Sequence, residues 1–185
     1  GHSSIAWVDI GSLNSDYESL MSIPLNIGML MDNFESEGFS THDWQFAGQN
    51  EWFIQGQEVF DGDFSIRSGA IGNNQTSEIS VEYNVLNQGN INFFAKASSE
   101  QGNSGTIYDY LSFYIDNEQM VVIGGESDWD EYSFMVTPGL HTFRWVYEKD
   151  NAGSYGQDCA WLDNIIFPPG SIPPLNIDFG DLNED

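Results

Sequence analysis

The stretch "CAWLDNIIF", Cys159 to Phe167, carries a carboxylate, Asp163, in the middle of an apolar run. An unpaired carboxylate is costly to bury, so such a group is protonated, paired with a base or held on a cation. Bases are scarce: Arg67, Lys96, Arg144 and Lys149 are the whole supply, against 29 acidic residues. A cation is therefore the simplest partner. Two other acidic groups have the types and spacing to join it. Asp32 and Glu35 lie in "MDNFESEGF", and Asp61 and Asp63 flank a glycine in "VFDGDFSIRSG". Calcium takes about six to eight oxygens, from carboxylates and from carbonyls of glycine-containing turns. The expected metal ligands are thus Asp32, Glu35, Asp61, Asp63 and Asp163, brought together if the first and last strands of the fold pair.

Period-two alternation indicates what positions them. "SEISVEYNV" places Ile79, Val81, Tyr83 and Val85 on one face, and "INFFAKA" groups Ile91, Phe93, Ala95 and Ala97. "YLSFYI" sets Leu111, Phe113 and Ile115 against Tyr110, Ser112 and Tyr114; "HTFRWVY" groups His141, Phe143, Trp145 and Tyr147. This is the pattern of half-buried antiparallel strands, and turn-forming stretches such as "NQGN" and "TPGLH" separate them. No convincing amphipathic helix interrupts the series. The expectation is an all-β chain folded as an antiparallel β-sandwich of jelly-roll type. In the closing strand, strict alternation puts Cys159, Trp161, Asp163, Ile165 and Phe167 on one face. Residues 1–30 read as a leading segment, 31–169 as the sandwich, and 170–185 as a proline-stiffened linker with an acidic end.

Composition narrows the function. A net charge of −25 repels nucleic acid and anionic lipid. No apolar run reaches the roughly 20 residues of a membrane helix, so membrane insertion is not expected. The single cysteine, Cys159, excludes an internal disulfide and reads as a small buried apolar residue. Of the histidines, His2 belongs to a leading "GHSS", His42 reads as a loop residue and His141 as part of the core. No zincin, nucleophile-elbow or phosphate-loop motif occurs.

The ordered motifs "DNFESEGF", "GDFSIRSGAI", "YDYLSFYID", "GLHTFRWVYEKD" and "DCAWLDNIIFP" resemble MAM-like jelly-roll modules, including the cleaved-adhesin domains appended to secreted bacterial peptidases and adhesins. The resemblance covers about Asp32 to Pro168. It implies a concanavalin-like sandwich holding a structural calcium on the acid of the "FE" motif, Glu35, and on the closing-strand aspartate, Asp163. Where such modules carry two aspartates, this chain has Asp163-Asn164. The C-terminal "GDLNED" resembles the start of a dockerin-like calcium loop, with Asp181, Asn183 and Asp185 spaced as its first ligands but no later glycine or bidentate acid.

The expectation is a non-catalytic, calcium-stabilised binding or adhesion module of a larger secreted bacterial protein, monomeric when isolated, meeting an extracellular glycan or protein surface. The alternative is a carbohydrate-binding module. Sugars dock on exposed aromatic faces, and Trp52, Tyr108, Tyr110, Trp129 and Tyr155, with Trp44 beside them, are the candidate rings.

Overall fold

The computed structural model describes residues 31–171; the leading segment and the dockerin-like stretch lie outside the described residues. In chain order the strands are β1 (Met31–Asp32), β2 (Gln45–Gly48), β3 (Phe53–Gln55), β4 (Ser65–Arg67), β5 (Thr76–Val85), β6 (Gly89–Ser98), β7 (Tyr110–Ile115), β8 (Glu118–Gly124), β9 (Asp130–Val136), β10 (Gly139–Glu148), β11 (Cys159–Ile166) and β12 (Gly170–Ser171). One sheet runs β3-β4-β11-β6-β9, with β1 also paired to β11; the other runs β12-β5-β10-β7-β8, with β2 also paired to β5. All pairings are antiparallel, and only the β3–β4 and β7–β8 connections stay within one sheet. The result is a jelly-roll-like β-sandwich, with no helix among the described residues.

Alternation places the core as expected. Ile79, Val81, Tyr83 and Val85 of β5 and Phe143, Trp145 and Tyr147 of β10 face Ile91, Phe93, Ala95 and Ala97 of β6, all buried. Trp145 meets Phe93 edge-on at 5.4 Å and Phe113 at 4.9 Å. Each large apolar side chain so buried contributes about 1.5–3 kcal/mol. His141 departs from expectation, because it keeps polar partners at the strand end. Its Nδ1 lies 3.0 Å from Asp116 and its Nε2 lies 2.9 Å from the Thr137 carbonyl. His42 lies in the turn region before β2, yet it is buried and stacks on Phe167 at 4.3 Å.

Strict alternation fails along β11. Ala160 and Leu162 face the core, and so do Ile165 and Phe167. A bulge reconciles the two pairs: the register against β6 shifts between Asp163 and Ile166, and Asn164 sits at φ +46°. The Asp163 carboxylate accepts the Asn164 N–H at 2.7 Å, and asparagine is among the residues that tolerate a left-handed backbone. Cys159, Trp161 and Asp163 therefore lie on the outward face of the sheet. Trp161 is buried there under the cationic side chains of Arg67 and Lys96, 5.8 and 5.9 Å from its ring, and is not part of the central core.

Candidate metal site

The loop between β3 and β4 covers that outward face. Phe60 stacks on Phe94 of β6 at 3.6 Å and meets Trp129 edge-on. Gln55 braces the loop from within: its side-chain N–H donates to the Glu58 carbonyl, and its Oε1 accepts the N–H groups of Gln57 and Glu58. Lys96 and the Trp129 indole both donate to the Glu58 carboxylate, at 2.9 and 3.2 Å.

Two carboxylates clasp the tip of this loop. Asp163 Oδ2 accepts the N–H groups of Phe60 and Asp61 at 3.0 and 3.2 Å, and Glu35 Oε1 accepts those of Asp63 and Phe64, each at 3.0 Å. Between the two pairs lies Gly62 at φ +75°, where a Cβ would collide with the Glu35 carboxylate. Glu35 is aimed there by its neighbour Phe34, which is fully buried in the core and anchors the turn after β1. Asp163 is itself fully buried, and among the described residues neither acid has a Lys, Arg or His partner. Burial pushes the Asp163 carboxyl up to about 6 despite three backbone N–H bonds, and the Glu35 charge pushes it the same way. A buried acid held near a second acid without a base is a hard-oxygen donor set that fits a divalent cation.

The other predicted ligands are not gathered there. β1 pairs with β11, setting Asp32 opposite Ile165, but the Asp32 carboxylate is taken up elsewhere. It accepts the Phe34 N–H at 3.1 Å and the Trp44 indole N–H at 2.9 Å, and the Thr41 hydroxyl donates to it as well. Burial acts to raise its pKa, but these bonds and the nearby His42 outweigh it and hold the pKa below the usual value. Asp61 and Asp63 are exposed and join the clasp through their backbone N–H groups, not their carboxylates. Of the five carboxylates, those of Glu35 and Asp163 meet at the loop tip, since the strand pairing aligns backbones while nearer donors claim the Asp32 side chain.

The aromatic candidates also divide. Trp52 is a core residue, 2% exposed, its indole N–H donated to the Ser77 carbonyl at 3.1 Å; its place in the expected ligand set is corrected accordingly. Trp44 is buried too. Trp129 is half-buried against the loop. Tyr110 is half-buried, with its phenol pushed up to about 12 by a hydrogen bond to Glu148. Tyr108 and Tyr155 are exposed.

A second acidic group escaped the sequence reading. Carboxylate oxygens of Glu100, Asp109 and Asp150 lie within 4.8 Å of one another. Here Lys149 supplies the opposite charge, 2.8 Å from Asp109 and 2.5 Å from Asp158. The available signal was "EKD", one of only four bases placed directly between acids.

No protein-family model matches the chain, and no curated protein sequence matches it. Solved structures do. The K3 and K1 cleaved adhesin domains of Lys-gingipain from Porphyromonas gingivalis W83 match with TM-scores of 0.52 and 0.51 at 13% and 12% identity; each match covers 74% of this chain and 96% or 95% of the domain. A carbohydrate-binding module of the β-sandwich superfamily matches with a TM-score of 0.50 at 13% identity, over 72% of this chain and 59% of that one. The chain spans 21% of the length of the secreted serine protease VesC from Vibrio cholerae, to which it is 21% identical over 57% of its own length, with a TM-score of 0.49. At these identities the likeness is one of fold, a β-sandwich shared with adhesin and carbohydrate-binding domains.

Proposed function

We propose that this chain is a non-catalytic, calcium-stabilised binding or adhesion module of a larger secreted bacterial protein, a peptidase or an adhesin. The observation that carries the reading is the clasp: Asp163, fully buried and without a base, grips one half of the loop tip while Glu35 grips the other. Asp163 and Glu35 would hold the ion. A bound calcium supplies positive charge to two acids that otherwise repel each other. This chain's own residues then keep the loop pinned: Phe60 stays on Phe94, and Glu58 stays on Lys96 and Trp129. Because the unfolded chain lacks the site, binding adds to folding stability.

A binding role also accords with the state of the reactive side chains. Cys159 is buried, and burial pushes its thiol up to about 11, far from a thiolate at neutral pH. His42 is sealed in the core region against Phe167. The acids of the clasp are engaged by backbone amides on a covered sheet face. The test is thermal unfolding in EDTA and in calcium. Calcium should raise the melting temperature by several degrees, and Asp163→Asn should abolish that gain. A wild-type melt indifferent to both additives would remove calcium from the reading.

A further inference from the structure

All four basic side chains lie among the described residues, and three are ion-paired. Lys96 pairs with Glu58 at 2.9 Å, Arg144 with Glu78 at 3.0 Å, and Lys149 with Asp109 and Asp158. Arg67 is different: on a chain with 29 acids it has no acidic partner among the described residues. Its Nη2 donates to the Gln157 carbonyl at 3.2 Å, while its buried Nε–H has no hydrogen-bond partner among the described residues. The guanidinium lies between two rings, 5.9 Å from Phe53 and 5.8 Å from Trp161. It lines a groove of about 140 Å³ together with Phe53, Gln57, Glu58, Gln157 and Trp161.

We propose that this groove is a subsite for a single carboxylate-bearing sugar, a hexuronate at a chain end or on a side branch. The proposal rests on the reading of the chain as a binding module and names its ligand. A guanidinium with no acidic partner among the described residues offers N–H donors that a carboxylate can accept. Phe53, 43% exposed, presents a ring on which the apolar C–H face of a pyranose can lie. The exposed residues Gln57 and Gln157 bring amide groups that can donate to and accept from hydroxyls. The one acid in the lining, Glu58, is already neutralised by Lys96.

Size and charge narrow the choice further. The groove is well below the roughly 300 Å³ at which drug-sized sites begin, so it suits one ring rather than a chain segment. A polyuronate would be repelled by the net charge of −25, whereas a ligand with one carboxylate meets mainly the local cation. One wall, Gln57 and Glu58, belongs to the loop that the clasp holds in place.

The test titrates the whole 185-residue chain, in calcium, with glucuronate and galacturonate, and with glucose and acetate as controls, following the Trp indole resonances by NMR. At least one uronate should bind saturably, about tenfold more tightly than glucose or acetate. Arg67→Gln should lose that preference, and Arg67→Lys should keep part of it. Phe53→Ala, at an exposed ring, should weaken binding several-fold with an unchanged melt, which guards against misfolding of the arginine variants. Equal binding of glucose and uronate overturns the proposal, as does a wild-type response from Arg67→Gln or an acidic peptide binding more tightly than either uronate. Acetate matching the uronates overturns the sugar assignment. Calcium stabilisation without uronate binding defeats the subsite alone, and uronate binding without calcium stabilisation defeats the calcium reading alone.

Discussion

Asp109 and Asp163 are both fully buried, yet their surroundings answer the cost of burial in opposite ways. Asp109 receives Lys149 Nζ at 2.8 Å and the Asp150 N–H at 2.8 Å, so its charge is balanced within the chain. Among the described residues Asp163 receives only backbone N–H groups and faces a second acid, and burial pushes its carboxyl up to about 6. The few bases are not spread evenly. One of four is committed to the loops around β7 and β10; the one that reaches the clasped loop, Lys96, is taken by Glu58, and among the described residues no base pairs with Asp163 or Glu35. In the first region one lysine answers Asp109 and Asp158 beside Glu100 and Asp150, whereas in the second no base among the described residues answers either acid.

The sharpest way to break this contrast is to remove Lys149. Lys149→Ala leaves Asp109 buried and unpaired, and should cost about 3–5 kcal/mol in denaturant unfolding, with or without calcium. A loss under about 1 kcal/mol would mean that Asp109 is not balanced in the way described.

Next comes pH. The folded-state pKa of Asp163 lies above its unfolded value, so its contribution is full below the ordinary value of 3.8 and is lost as pH rises through about 6. In EDTA, wild type minus Asp163→Asn should therefore lose up to about 3 kcal/mol of relative stability across that window. Asp32 has the opposite sign: its pKa is lowered, so its contribution is present above 3.8 and fades as pH falls through the depressed value. A flat difference profile for Asp163 would show that the group is already compensated.

Calcium provides the third measure. At about 100 times its dissociation constant it should add about 2.7 kcal/mol to wild type. Lys149→Ala should retain that increment and Asp163→Asn should lose it, which separates the two regions directly. Gly62→Ala comes next. Its positive φ and its contact with Glu35 predict about 1–2 kcal/mol of destabilisation and weaker calcium binding. The smallest effect belongs to Asp61→Ala and Asp63→Ala, whose exposed carboxylates stand outside the clasp; in EDTA each should change stability by less than about 0.5 kcal/mol.

Much of the architecture was legible because burial leaves a period-two record. The inward faces of β5, β6, β7 and β10 could be read directly from alternation, with Trp145 at their centre. The same rule misread β11, since a bulge of one residue at Asn164 swaps the faces and leaves no periodic trace. Asp163 could be marked as anomalous from its neighbours in sequence. Its partners, the amides of Phe60 and Asp61, lie about a hundred residues earlier and offer no side-chain signature. Trp52 and Tyr155 looked alike as loop aromatics, but one is 2% and the other 64% exposed.

Composition and alternation were enough to specify a strongly acidic β-sandwich, short of bases, with an aspartate that needs an explanation. Both follow from local facts, which residues are present and how they alternate. Which acids meet, which base goes unpaired and which rings face water depended on folding a loop from β3–β4 over β11. That arrangement is a matter of contacts between segments distant along the chain, and a linear pattern does not encode them.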